Sequence, residues 1–127
     1  ALENIYIPQL LLTNNKDLSL KNSKKMINKL GLSNRQNHYP SELSGGENQR
    51  IAIGRSIVNS PSIILADEPT GSLDFENAKQ IFKILFNLKS RDRIIIFATH
   101  NRYFANMADC KIQMIDGKMK ITNGRIN

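Results

Sequence analysis

Residues 43–50 read Leu-Ser-Gly-Gly-Glu-Asn-Gln-Arg, and residues 63–74 read Ile-Ile-Leu-Ala-Asp-Glu-Pro-Thr-Gly-Ser-Leu-Asp. In the second run, three branched apolar residues and an alanine fit a short strand buried on both faces. Asp67 and Glu68 follow at once, and Pro69 forbids the strand to continue because it cannot donate to the ladder. Carboxylates at the carboxyl end of a buried strand stand where α/β sheets bind ligands. In the first run, Ser44, Gly45 and Gly46 lead into a helix. They offer free backbone N–H groups, a hydroxyl and a positive dipole end with no Cβ in the way, which suits a phosphate. Alone, such a cluster is most often a plain helix cap. Its spacing from the acidic strand end gives it meaning.

Together the two runs resemble the signature motif, Walker B strand and D-loop of an ABC-type ATPase. The resemblance implies ATP and Mg²⁺ as ligands. Asp67 would hold Mg²⁺, mostly through water, and Glu68 would be the general base for the attacking water. His100, at the end of the next apolar strand, matches the switch histidine that reaches the γ-phosphate. Ser44, Gly45, Gly46 and Glu47 match the signature, which closes over ATP bound to the other subunit. The family often has glutamine at its fifth signature position; here it is Glu47, with Gln49 two residues on. Asp74, with Ser72 and Leu73, matches the D-loop at a dimer interface and also suits a helix cap. A head-to-tail dimer of ATPase subunits is implied, with C₂ symmetry meeting the requirement through one repeated interface. The implied fold is α/β, a partial P-loop NTPase domain: a helical subdomain over residues 1–60, including the signature, then the carboxyl-terminal half of the parallel-sheet core over residues 61–127. Transmembrane permease subunits are the implied partners, and the implied place is cytoplasmic, peripheral on the inner face of the membrane. Pro40-Ser41-Glu42 and residues 66–74 are similar to the lipoprotein-release and macrolide-export type, which extracts or exports substrates.

No Gly-x-x-x-x-Gly-Lys-Ser/Thr occurs in the 127 residues, and no aromatic residue for stacking adenine is identifiable. The chain opens without methionine, inside an apolar pattern, and reads as the later part of such a domain. By itself it is expected neither to bind ATP tightly nor to hydrolyse it. Strands missing from the same sheet would leave an apolar face uncovered along residues 63–66 or 94–98. Two other classes fit the same motifs. One is a soluble ABC ATPase of translation or DNA repair, although repair types insert long coiled coils before the signature. The other is a non-enzymatic truncated remnant, which the sequence upstream of Ala1 would reveal.

Composition narrows the rest. With 40% hydrophobic and 23% charged residues in 127, the chain supports one globular core. Its net charge of +7 admits polyanionic partners, but no stretch interleaves basic and aromatic residues, so no nucleic acid is expected. The single Cys110 excludes an internal disulfide and reads as apolar filler on a strand. His38 is a lone histidine without neighbours at ligand spacing. Along the chain, Leu2, Ile5 and Tyr6 share a helical face, with Pro8 kinking or ending the turn. In the resemblance this helix belongs to the part that touches the membrane partner. Ser19 is read as the cap of a helix facing inward through Leu20, Ser23, Met26, Ile27 and Leu30, with Gly31 ending it. Ala78, Ile81, Phe82, Leu85 and Leu88 give the cleanest amphipathic helix. Residues 94–98 read as a strand, 101–108 as a short helix, and 111–115 and 118–122 as strands around an Asp116-Gly117 turn. Asn123-Gly124 offers a second turn.

Overall fold

The computed structural model describes residues 1–123, with side chains through Ile121; the Asn123-Gly124 turn lies outside the described residues. Helices α1 (Leu2–Thr13), α2 (Lys16–Lys29) and α3 (Gly45–Ile57) precede strand β1 (Ile63–Asp67). Helix α4 (Phe75–Asn87), strand β2 (Ile94–Ala98), the one-turn helix α5 (Arg102–Ala105), and strands β3 (Lys111–Ile115) and β4 (Lys118–Asn123) come after it. β1 and β2 pair in parallel, Ile63 opposite Ile94 and Asp67 opposite Ala98. β3 and β4 form a separate antiparallel hairpin. The mixture of helix and parallel sheet is the α/β class expected from the sequence.

α1 runs through Pro8. It ends at Asn14, whose left-handed backbone (φ 48°) turns the chain into α2. α2 begins earlier than its sequence suggests. Asn15, not Ser19, is the cap, its side chain accepting from the Leu18 N–H at 3.0 Å. Ser19 lies one turn inside, fully buried, its hydroxyl bonded to the Asn15 carbonyl at 2.6 Å and to Thr13 Oγ1 at 2.7 Å. The inward face is otherwise as read, with Ser23, Ile27 and Leu30 buried and Met26 packed against the core, but Ser19 is buried where Leu20 was expected, and Leu20 is exposed. Gly31 closes the helix at φ 70°, the left-handed conformation a C′ residue needs.

Ile5, Ile27, Leu30, Leu32, Leu43 and Ile51 form one buried cluster. α3 approaches α1 and α2 closely at Gly54, where a Cβ would stand 2.5 Å from Leu30 Cδ1 and 2.9 Å from Ile5 Cδ1. Ile53 and Ile57 of the same helix enter a second cluster with Ile64, Ala78, Ile81, Phe82, Leu85 and Phe104. α3 therefore ties the helical front to the sheet.

The expectation that residues 63–66 are buried on both faces is not met. Ile64 is buried against α3 and α4, while Ile63 and Leu65 are 56% and 75% exposed. Ile94 and Ile96 are exposed on the neighbouring strand, and Ile95 and Phe97 pack inward. Helices within the described residues cover one face only, so alternate side chains of each strand face outward. Arg93 fixes how the strands start: its guanidinium donates to the Pro61 carbonyl at 2.9 Å and to the Leu88 carbonyl at 3.0 Å. Asp116 and Gly117 both have positive φ, as the two-residue hairpin turn requires. Cys110 is exposed and precedes β3 rather than filling it.

Candidate active site

β1 delivers Asp67 at its last position and Glu68 just beyond. Glu68 takes a left-handed backbone at φ 42°, which is uncommon for a residue with a Cβ. Its N–H still donates to the Ala98 carbonyl at 3.0 Å, and its own carbonyl accepts from the Gly71 N–H at 3.1 Å. The parallel register sets Glu68 beside Thr99 and His100, which leave β2 at the same end. The Glu68 carboxylate is held there. Oε1 accepts from the His100 backbone N–H at 2.8 Å and lies 2.8 Å from His100 Nδ1; Oε2 accepts from the Thr99 hydroxyl at 3.3 Å. Partial burial works against its charge. The hydrogen bonds from the His100 ring and backbone, the His100 charge and the Thr99 hydroxyl outweigh that, and hold its pKa below the usual carboxylate range. The His100 ring remains 82% exposed and the Glu68 side chain 36%.

The position of His100 depends on the residues that come after it. Thr99 Oγ1 accepts from the Asn101 N–H at 3.1 Å, and Asn101 caps α5 by accepting from the Tyr103 N–H at 3.0 Å. Phe104 then stacks on Phe82 of α4, ring centroids 4.0 Å apart, and is buried. The histidine thus stands between a strand end and a helix anchored in the core.

Asp67 is exposed and has no hydrogen-bond or ionic partner among the described residues. Among those residues no group of three or more His, Cys, Asp or Glu side chains converges as a metal cage. A single accessible hard oxygen donor beside a second carboxylate fits Mg²⁺, which keeps most of its waters and shares phosphate oxygens. It does not fit a metal needing a full protein ligand set.

At the head of α3, Ser44 and Glu47 close a capping box. Ser44 Oγ accepts from the Glu47 N–H at 3.2 Å, and Glu47 Oε2 accepts from the Ser44 N–H at 2.8 Å. Glu47 Oε1 also pairs with Arg35 Nε at 3.1 Å. The Ser44 N–H first, then the Arg35 guanidinium, lower the Glu47 pKa. Its carboxylate is therefore directed back onto the cap. The N–H groups of Gly45 and Gly46 have no acceptor among the described residues and remain at the helix entrance.

The loop after Glu68 abuts this entrance. A Cβ on Gly45 would stand 3.4 Å from Leu73 Cδ2, and one on Gly46 would stand 3.1 Å from Asn77 Oδ1. Asp74 caps α4, accepting from the Asn77 N–H at 3.0 Å and the Glu76 N–H at 3.1 Å, and it also holds the Asn77 side chain. The Asn77 bonds are the main reason its pKa is lowered. The structure thus forms two groups: Glu68 with Thr99 and His100, and Ser44–Glu47 against the Leu73–Asn77 turn. Among the described residues no hydrogen bond joins them. Sequence reasoning misses Arg35 and Asn77. Arg35 sits in a polar loop with no signal, whereas Asn77 is visible as the third residue after a capping aspartate. A cavity of about 290 Å³ lies between α4 and α5 and includes neither group.

A family model described as ABC transporter matches residues 3–71. The chain is 40% identical over 122 residues to the lipoprotein-releasing system ATP-binding protein LolD 1 of Chlorobium luteolum, covering 95% of this chain and 52% of that protein. It is 40% identical over 118 residues to LolD of Cytophaga hutchinsonii (92% and 54%), and 37% identical over 124 residues to the macrolide export ATP-binding/permease protein MacB of Pasteurella multocida (98% and 19%). The chain spans about half the length of the curated LolD relatives it matches. A dimeric ATP-binding cassette in a post-hydrolysis state, bound to ADP and phosphate, superposes with a TM-score of 0.80 at 31% identity, covering 98% of this chain and 57% of that one. An ABC transporter solved in an inward-facing conformation shares the fold at a TM-score of 0.86 and 23% identity, covering 96% and 51%.

Proposed function

The chain belongs to the ABC transporter family, and on that premise we propose that its residues hydrolyse ATP within a larger ATP-binding subunit that powers lipoprotein release or a related export from the membrane. The observation that carries this reading is the Glu68 carboxylate, ionised and held by His100 and Thr99 at the end of two parallel strands. Glu68 takes the proton of the attacking water. The water oxygen bonds to the γ-phosphorus as the bond to the bridging oxygen breaks. His100, exposed at the strand end, contacts the γ-phosphate when its bond to Glu68 is exchanged for one to substrate. Asp67 is the residue that would hold Mg²⁺, which when bound neutralises charge on the phosphate oxygens.

The Ser44–Gly46 entrance supplies backbone donors to ATP carried by a second subunit, and the Leu73–Asn77 turn lies beside it at that interface. Glu47 supports the entrance rather than touching phosphate, because its carboxylate is already engaged by Ser44 and Arg35. The subunit works beneath transmembrane permease subunits on the inner face of the membrane. The test uses the full-length protein carrying Glu68→Gln or His100→Ala. Glu68→Gln keeps ATP affinity and lowers steady-state phosphate release by roughly 10²–10⁴-fold, the worth of a positioned base, and His100→Ala also lowers release. Release within about threefold of the unmodified rate refutes the assignment.

A further inference from the structure

The α1–α2 hairpin ends in a tip that nothing in the described chain covers. Leu11 is 81% exposed, Leu12 65% and Leu18 45%, and all three flank the turn at Asn14 and Asn15. Behind the tip, α2 carries Lys16, Lys21, Lys24, Lys25 and Lys29, all exposed, against one acid, Asp17. None of the five lysines forms an ion pair among the described residues. Positions 21, 25 and 29 recur at i, i+4 and i+8, so those lysines share a stripe, and Leu18 lies on the same side at i−3 from Lys21.

From these observations we propose that the hairpin tip docks on an anionic lipid surface, with the leucines at the acyl boundary and the α2 lysines over the headgroups. Clustered exposed leucines are unfavourable in water, and unpaired lysines beside them match the negative potential of an anionic leaflet. Nucleic acid fits less well, because the tip offers no aromatic residue for stacking and its apolar residues would gain nothing from phosphate. The surface is separate from the carboxylate site, so it can be tested without nucleotide.

The sequence contains no tryptophan, so Leu11→Trp places a single reporter at the tip. Its fluorescence is read with vesicles of phosphatidylcholine alone and of phosphatidylcholine with phosphatidylglycerol. The expected result is a blue shift, with quenching by brominated lipid, on the phosphatidylglycerol vesicles only. Lys21→Glu with Lys25→Glu weakens partitioning by roughly tenfold or more, and Lys118→Glu with Lys120→Glu on β4 leaves it unchanged. If the Leu11 variant misfolds by circular dichroism, Leu12→Trp reports instead. Contact through the open sheet face would leave the tip reporter unshifted. An unshifted reporter, equal shifts on both vesicle types, insensitivity to the α2 charge reversal, or an equal shift with duplex DNA each overturns the proposal.

Discussion

Glu68 holds a left-handed backbone and a carboxylate bound from three directions, and its protonation is governed by those bonds. Because its folded pKa lies below the ordinary carboxylate range, the stability it contributes is fully present above the unfolded value. That contribution is lost as pH falls through the lowered folded value. Carboxyl-resolved NMR titration should therefore place Glu68 below the ordinary glutamate range. His100→Ala should raise it, since the ring bond and the histidine charge both lower it. An unchanged Glu68 titration would show that the ring does not engage the carboxylate in solution. At this scale the sequence is informative: Asp67, Glu68 and His100 each stand out by their place at a strand end. Glu47 is less legible. Its bonding depends on Arg35, twelve residues away across an irregular loop, and no local pattern announces that pairing.

Among the elements, α5 is short but sets the site. Four residues cannot hold a helix by themselves, and Phe104 stacked on Phe82 supplies what the backbone does not. Phe104→Ala should lower stability by about 3–5 kcal/mol, a buried aromatic cavity, read by urea unfolding. It should also reduce phosphate release in the full-length protein by loosening the peptide that carries His100. A loss below about 1 kcal/mol would mean the stack is not formed. α4 is legible because its apolar residues recur at three and four and Asp74 caps it. The start of α2 is not, because Asn15 and Ser19 are both capping types; the Ser19 hydroxyl bonds back to Asn15 within its own helix, and its second bond, to Thr13, exists only with α1 packed alongside. The strand over residues 63–67 is legible as an element but not in its burial. An all-apolar run does not say which neighbour covers each face.

For the whole molecule, the sheet face with Leu65 and Ile96 outward is an apolar surface without a cover in the described chain. The 127-residue chain should self-associate in solution, and Leu65→Lys should reduce that association in light scattering. A monodisperse unmodified chain would contradict this.

In the proposed function the α3 entrance serves ATP held by another copy. That role is tested most directly by sedimentation of full-length protein carrying Glu68→Gln, with and without Mg-ATP. The expected result is a dimer that forms only with nucleotide, retains two ATP, and is lost when Ser44→Arg places a bulky cation at the entrance and opposes the helix dipole. A nucleotide-saturated monomer, or a dimer indifferent to Ser44→Arg, would contradict it.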